Sequence, residues 1–322
     1  MKTLVTGAGG FIASHLVEKL IEQGHDVRAF VRYNSRNSWG WLEDSRYKNS
    51  VEIISGDIRD YDLVKSAVHG CDKVFHLAAL IGIPYSYVSP LAYIKTNVEG
   101  TYNVLQAARE QSAQVIHTST SEIYGTAQYV PIDENHPVNP QSPYAASKAS
   151  ADFLALSYHK SFDLPVTVVR PFNTYGPRQS ARAIIPTVIS QMLNGKKTLS
   201  LGNLTPTRDL TFVLDTVSGF IAASSSPRLV GTTVNLGAGY EISMGNLVKK
   251  IAGVVGCEVK ICSDCQRIRP SKSEVERLLS NPGKIKSTCG WKAMVSLEDG
   301  LKKTVEWMRH EKSLYKSELY NV

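Results

Sequence analysis

Two short segments hold the side chains that could do chemistry. Thr118-Ser119-Thr120-Ser121-Glu122-Ile123-Tyr124-Gly125 gathers hydroxyls around one carboxylate, and Tyr144-Ala145-Ala146-Ser147-Lys148 follows downstream. The first continues an apolar run, Gln114-Val115-Ile116-His117, that reads as a strand. It should therefore emerge at the carboxyl edge of a sheet, where open α/β folds hold their ligands. The second opens with Ser142-Pro143, an N-cap followed by proline at the first helical position. Tyr144 and Lys148 then stand at i and i+4, on one face of a helix. Hydroxyls, a carboxylate, a phenol and an ammonium brought together suit proton transfer to and from a polyol. A Tyr-x-x-x-Lys spacing alone is common by chance; its place behind the strand-end cluster gives it weight.

The elements needed to position these groups are legible upstream. Leu4-Val5-Thr6 runs into Gly7-Ala8-Gly9-Gly10-Phe11-Ile12-Ala13 and then an apolar-periodic helix closed by Gly24. The spacing is Gly7-x-x-Gly10-x-x-Ala13. Gly7 allows a tight turn, Gly10 lets the backbone approach a pyrophosphate, and Ala13 packs closely against the strand. A second strand, Val27 to Val31, ends in Val31-Arg32 with Arg36 nearby, where an NAD enzyme usually carries an acid for the ribose 2′-hydroxyl. The cofactor is thus expected to be NADP or NAD, with the arginines favouring NADP. A third strand leads to Gly56-Asp57-Ile58, where Asp57 could meet the adenine amine or cap the next helix. A fourth ends in Leu77-Ala78-Ala79, small enough for close cofactor contact, and His76 before it reads as a satisfied core histidine. A long helix is expected over 93–110 with Val98, Tyr102 and Leu105 on one stripe and Asn97 upon it.

Composition narrows the class. The 322 residues carry 36 Lys and Arg against 29 Asp and Glu, a net charge of +7, spread along the chain without a basic stripe. That distribution excludes a nucleic-acid surface and suits an anionic substrate. No apolar run is long enough to cross a bilayer, and the chain starts directly in a strand-like segment, so a cytosolic protein is expected. Cys262-Ser263-Asp264-Cys265 has metal-ligand spacing but no second paired motif, so free thiols are expected and no metal.

Taken in order, Thr-Gly-Ala-Gly-Gly-Phe-Ile-Ala, Gly-Asp-Ile-Arg-Asp, His-Leu-Ala-Ala, Ser-Thr-Ser-Glu-Ile-Tyr-Gly and Tyr-x-x-x-Lys resemble the extended short-chain dehydrogenase/reductases. The resemblance continues in Arg170-Pro171-Phe172-Asn173-Thr174-Tyr175-Gly176-Pro177-Arg178-Gln179, Arg208-Asp209, Val234-Asn235-Leu236-Gly237 and Arg269-Pro270. More narrowly the chain is similar to nucleotide-sugar 4,6-dehydratases of the GDP-mannose type. Residues 34–43 and Ile83-Pro84-Tyr85-Ser86-Tyr87 look most like dehydratases of legionaminic acid pathways, which act on nucleotide-linked N-acetylglucosamine.

The resemblance implies a doubly wound parallel (Rossmann) α/β domain, 1–172 with about 211–238, and a smaller α/β substrate domain from 173–210 and 239–322. It implies a dinucleotide on Gly7, Gly10, Phe11, Ile12, Arg32, Asp57, Ile58, Leu77, Ala78, Ala79, Asn97, Tyr144 and Lys148. Substrate contacts would come from Tyr85, Asn173, Arg178, Arg208, Asn235 and Arg269, the guanidinium forks of Arg208 and Arg269 suiting a pyrophosphate. The reaction would be transient oxidation at C4, elimination of water across C5–C6, and return of hydride to C6. Tyr144 is the expected base for the first step, helped by Lys148 and Thr120; Glu122 removes the C5 proton. Ser121 stands where glucose-type enzymes place an aspartic acid, so either Glu122 protonates the leaving hydroxyl or Ser121 relays through water. Thr-Ser-Glu also occurs in UDP-glucuronate decarboxylases, and a 4-epimerase remains an alternative. The helices of 93–110 and 144–160 are expected to form a four-helix bundle with a twin chain in a homodimer. The final stretch, 315–322, is expected to fray.

Overall fold

The computed structural model describes residues 1–316. In chain order the strands are β1 Lys2–Thr6, β2 Asp26–Arg32, β3 Glu52–Gly56, β4 Lys73–His76, β5 Gln114–Thr118 and β6 Val166–Pro171. There follow β7 Asn173–Tyr175, β8 Thr198–Leu201, β9 Thr207–Phe212, β10 Thr233–Leu236, β11 Glu241–Ser243, β12 Lys260–Ser263 and β13 Arg277–Leu278. A seven-stranded sheet runs in the order β3-β2-β1-β4-β5-β6-β10, with every pairing parallel. This is the doubly wound Rossmann order, reversing direction between β1 and β4, where such sheets open a crevice at the strands' carboxyl ends.

The helices that cover it are α1 Phe11–Glu22, α2 Tyr61–Val68, α3 Ile83–Val88, α4 Pro90–Tyr93, α5 Gly100–Gln111 and α6 Pro143–Phe162. After them come α7 Ile184–Leu193, α8 Val213–Ser224, α9 Met244–Val255, α10 Gly283–Cys289 and α11 Leu297–His310. Alternate residues of a strand face opposite sides. Leu4 therefore packs with Val64, Val104, Leu105 and Ala155 from α2, α5 and α6. Val5, its neighbour, packs with Leu16, Val17 and Leu20 of α1 and with Val217 and Phe220 of α8. Each such fully buried side chain contributes about 1.5–3 kcal/mol relative to exposure.

The second domain is built on a mixed sheet, β11-β9-β13 with β7 beside β9, and a separate parallel pair β8-β12. Its core gathers Ile185, Val188, Leu247, Ile251, Leu301 and Val305 from α7, α9 and α11. Ile285 of α10 and Trp291 pack instead into the core beneath the large sheet, so part of the stretch expected in the substrate domain returns to the first.

Two differences from the sequence expectation have local causes. The helix expected over 93–110 runs from Pro90 to Gln111 but widens into a π-turn at Ile94–Glu99. The extra residue rotates the downstream face: Gly100, Thr101, Val104, Leu105 and Ala108 are buried while Tyr102 is exposed, so the periodic stripe drawn through Val98 and Tyr102 is not the core face. At the other end, Tyr315 is buried and donates from its hydroxyl to the Gln179 carbonyl, 2.8 Å, rather than fraying; 317–322 lie outside the described residues. His76 is fully enclosed, its ring nitrogens 2.8 Å from Thr6 Oγ1 and 3.0 Å from Thr101 Oγ1, as expected of a core histidine.

Candidate active site

Behind β5 the chain turns sharply. Thr120 caps a 3₁₀ turn, Ser121–Tyr124, its Oγ1 accepting from the Glu122 amide at 3.2 Å. Gly125 ends the turn at φ +66°, and a Cβ there would strike the Asn139 carbonyl. Thr120, Ser121 and Glu122 are all buried, presented at the carboxyl edge of the sheet. The start of α6 is fixed by Ser142, whose hydroxyl accepts from Ala145 N at 3.1 Å, with Pro143 in the first turn. That geometry swings Tyr144 and Lys148 under the turn.

Burial dominates both groups. It pushes the Tyr144 phenol well above its ordinary value; a hydrogen bond with Thr120 works the other way, and the Glu122 charge adds to the rise. Burial also brings the Lys148 ammonium down to about 8, opposed by the Asp152 carboxylate. Lys148 Nζ donates to the Thr118 carbonyl at 2.5 Å. Burial therefore favours the neutral phenol at Tyr144, and the positive charges expected to favour its phenolate, the Lys148 ammonium and a bound oxidised nicotinamide, act against that burial. Tyr93 stands edge-on to Tyr144 at 6.2 Å with its hydroxyl donating to the Gly82 carbonyl, and the half-exposed Tyr85 is 6.1 Å from Tyr93. The three rings thus run from the buried Tyr144 phenol through Tyr93 to the exposed Tyr85.

The glycine turn has the form a dinucleotide needs. Gly7 takes φ +69°, and a Cβ there would lie 2.9 Å from the backbone of Ala78. Gly10 precedes α1 without any side-chain cap, leaving the helix N-terminus and its positive end open to a phosphate. Phe11 and Ile12, in the first turn of α1, are half-buried. A cavity of about 560 Å³ beside the turn is lined by Gly7, Gly9, Gly10, Val31, Arg32, Asn34, Ser35, Arg36, Ser38, Trp39 and Gly40, with no acid among them. Leu77 and Ala78 are held by their amides on Thr6 Oγ1, 3.1 Å each, with Ala79 next in the chain. The residues present therefore fit a dinucleotide.

Several expected residues sit in other contacts. Asp57 grips Arg59, at 2.5 Å to NH2 and 2.9 Å to Nε, and α2 is capped by Asp60 instead. Ile58 is buried against Gly100, where a Cβ would come within 2.7 Å of its Cγ2. Asn97 braces the loop after β4, with its amide oxygen on Leu80 N and its nitrogen on Leu80 O and Ser147 Oγ, all 2.8–2.9 Å. Arg178 adopts φ +71° and turns to α1, pairing with Glu18 at 2.9 Å and Ser14 at 3.1 Å. Asn235 is fully enclosed, accepting from the Tyr124 hydroxyl and donating to the Ile132 carbonyl, so it braces β10 rather than facing a ligand.

Arg208 and Arg269 do converge. Both approach Glu274 Oε1, at 3.6 and 3.4 Å, and Glu122 also acts on the buried Arg208 guanidinium. Asn173 keeps a buried amide oxygen without a hydrogen-bond partner, an atom open to a ligand hydroxyl. Gly9 is a residue the spacing passed over. A Cβ there would strike the Trp39 carbonyl, and its own carbonyl accepts from Trp41 N, so the 34–43 loop closes onto the turn. Trp39-Gly40-Trp41 in the sequence was the available signal.

Comparison with known proteins agrees with this geometry. The chain is 35% identical over 317 residues to a UDP-glucose 4-epimerase of Mycolicibacterium smegmatis, covering 97% of this chain and 99% of that one. It is 33% identical to a dTDP-D-glucose 4,6-dehydratase of Mus musculus, covering 96% and 88%. A crystal structure of DesIV, a dTDP-glucose 4,6-dehydratase of Streptomyces venezuelae with NAD bound, superposes with a TM-score of 0.88 at 30% identity over 98% of this chain and 99% of that one. The model of the GDP-mannose 4,6 dehydratase family matches residues 4–304. The chain belongs to that family, and is an enzyme of the extended short-chain dehydrogenase/reductase nucleotide-sugar dehydratases and epimerases.

Proposed function

We propose that the chain is a nucleotide-sugar 4,6-dehydratase acting on a UDP- or GDP-linked N-acetylhexosamine. The observation that carries this reading is Glu122: a buried carboxylate on the active turn, within electrostatic reach of both the Tyr144 phenol and the Arg208 guanidinium. An epimerisation at C4 has no task for a base at that point; an elimination across C5–C6 requires one. When bound, a nicotinamide cofactor supplies reversible hydride acceptance. Tyr144 takes the proton of the C4 hydroxyl while Thr120 holds the same oxygen, and Lys148 supplies positive charge from below. Once C4 is a ketone, the C5 proton is acidic. Glu122 removes it and passes a proton to the departing C6 hydroxyl, so that water leaves. Ser121 is buried in the turn and has no acidity to contribute. Tyr85 and Asn173 border the sugar, and Arg208 with Arg269 take the pyrophosphate, displacing Glu274.

The cofactor proposed is NADP, since Arg32 and Arg36 line an acid-free cavity at the adenosine end. The enzyme works in the cytosol as a homodimer. Among the described residues no helix is long and apolar enough to cross a membrane. A second reading, 4-epimerase, is favoured by Ser121 in place of an acid and by the epimerase relative.

Mass spectrometry after incubation with UDP- and GDP-GlcNAc, GDP-mannose, dTDP-glucose and UDP-glucuronate separates the readings. Loss of water from a GlcNAc nucleotide is the expected result. Loss of carbon dioxide, or unchanged mass with inverted C4, would replace it with the decarboxylase or epimerase. Glu122→Gln should abolish water loss while cofactor stays bound; undiminished 4-keto-6-deoxy product from that variant would remove Glu122 from the mechanism.

A further inference from the structure

Tyr144, Lys148 and Asp152 follow one another at four-residue intervals on one face of α6. The first two belong to the reaction; the third has been given no part in it. Asp152 is 1% exposed, an expensive place for a carboxylate unless it is paired. Ser119, at the end of β5, donates to its Oδ2 at 2.7 Å, and Arg170 Nε of β6 donates to the same oxygen at 3.0 Å. His117 Nε2 lies 3.2 Å from Oδ1.

A carboxylate serving Arg170 alone would be a purely structural pair, which well-packed apolar side chains often replace without loss. The surroundings point further. Two buried cations, Lys148 and Arg170, share this anion. Lys148 has the Thr118 carbonyl as its hydrogen-bond partner and no carboxylate in direct contact. Arg170 is further shared with Tyr124, whose hydroxyl accepts from its NH1 at 2.9 Å and whose ring lies 5.0 Å below the guanidinium.

We propose that Asp152 is the positioning residue of the Tyr144–Lys148 pair: a fixed buried negative charge, one helical turn beyond Lys148, that keeps the ammonium protonated at working pH. The charged and titratable groups facing it are Lys148 and Tyr144 from α6, His117 from β5 and Arg170 from β6. Beyond these, the His76 ring of β4 is tilted against His117 at 5.7 Å, Glu122 acts on Tyr144, and Arg170 and Glu134 act on Lys284. His117 is held neutral, chiefly by burial and then by Lys148, so it does not cancel the carboxylate. Burial works against the Asp152 anion, yet His117, Arg170 and Ser119 together hold its pKa below the usual carboxylate range. Asp152 raises Lys148 against its own burial.

The inference rests on Lys148 serving the hydride step, but Lys148 can be titrated directly, whether the reaction is elimination or epimerisation. Protein labelled with 13C at lysine Cε is followed by NMR from pH 6 to 10, the Lys148 signal being identified by its disappearance in Lys148→Arg. Asp152→Asn keeps the volume and the acceptor for Ser119 and Arg170; its Lys148 midpoint should fall by about one pH unit, a tenfold rise in acidity. Arg170→Gln removes the rival cation, and its midpoint should rise. On the substrate that the wild type converts, the alkaline limb of kcat should move with the midpoint while KM stays within about twofold. A structural role alone predicts a lower melting temperature and no shift of either midpoint, and that result overturns the proposal. If Asp152→Asn does not fold, Arg170→Gln decides: a midpoint that fails to rise is equally fatal.

Discussion

At Arg32 the second strand delivers an exposed guanidinium to the rim of a cavity walled by glycines, serines, an asparagine, Val31, Trp39 and a second arginine, Arg36, with no acid among them. A 2′-phosphate placed there gains charge-assisted hydrogen bonds that a 2′-hydroxyl does not. Arg32→Ala should weaken NADP binding at least tenfold and change NAD binding by less than about threefold, measured by fluorescence titration of both cofactors. Equal loss for the two would remove the arginine from 2′ recognition. At this scale the grouping of the candidate residues was legible because they lie in two short segments whose spacing carries their geometry. Thr120, Glu122, Tyr144 and Lys148 come together as a strand end and a helix start must bring them. What escaped was anything defined by a distant partner. Gly9 is required by Trp39, thirty residues on, and Arg178 by Glu18 on the opposite domain. Neither requirement leaves a mark in local spacing.

Helix α1 does more than face a phosphate. On its outer side His15 sits against the loop that leaves the large sheet, with Nε2 3.2 Å from the Pro177 carbonyl, beside the Arg178–Glu18 and Arg178–Ser14 contacts. Burial, and after it the Arg178 charge, brings the His15 pKa from its ordinary 6.5 down to about 4. Between those values the unfolded chain binds a proton that the folded chain refuses. The stabilisation is therefore complete above pH 6.5 and is lost as the pH falls towards 4, by at most about 3 kcal/mol. His15→Gln keeps a donor for Pro177 and removes the titration. Its melting temperature should fall less between pH 7.5 and pH 5 than that of the wild type; parallel declines would show that the clamp does not titrate. The sequence indicated the helix and its glycine boundaries, since local punctuation defines both. It did not indicate the π-turn at Ile94–Glu99, because hydrophobic periodicity assumes a constant number of residues per turn.

For the whole molecule, the doubly wound parallel sheet followed from the alternation of strands and helices along the chain. The return of α10 to the first domain was not legible, since Ile285 and Trp291 look the same whichever core receives them. One face of the large domain remains uncovered. Leu91, Ile94 and Tyr102 on the helix of 90–111, with Phe153 and Phe162 on α6, are exposed, Leu91 by 63% and Phe153 by 61%. The α5 and α6 helices pack side by side, so these residues form the apolar face of two neighbouring helices, the kind of surface that a second copy buries. We propose that this face pairs with a second copy: in sedimentation velocity the wild type should sediment as a dimer, and Leu91→Glu with Phe153→Glu as a monomer, without lowering the melting temperature of the subunit by more than a few degrees. A wild type that sediments as a monomer would end the proposal at once.

The loop that closes on Gly9 also reaches across the molecule. Trp41 meets Trp307 of α11 edge to face at 5.5 Å, and Trp307 meets Tyr315 at 6.2 Å. Of four tryptophans in the chain, Trp39 borders the cavity beside the glycine turn, Trp41 is its near neighbour, and Trp307 packs with the core of α7, α9 and α11. The protein therefore carries a built-in optical gauge. Filling the cavity alters the surroundings of Trp39, and any relative movement of the two domains alters the Trp41–Trp307 pair. Ultraviolet emission can thus report cofactor loading and domain closure in the unmodified chain.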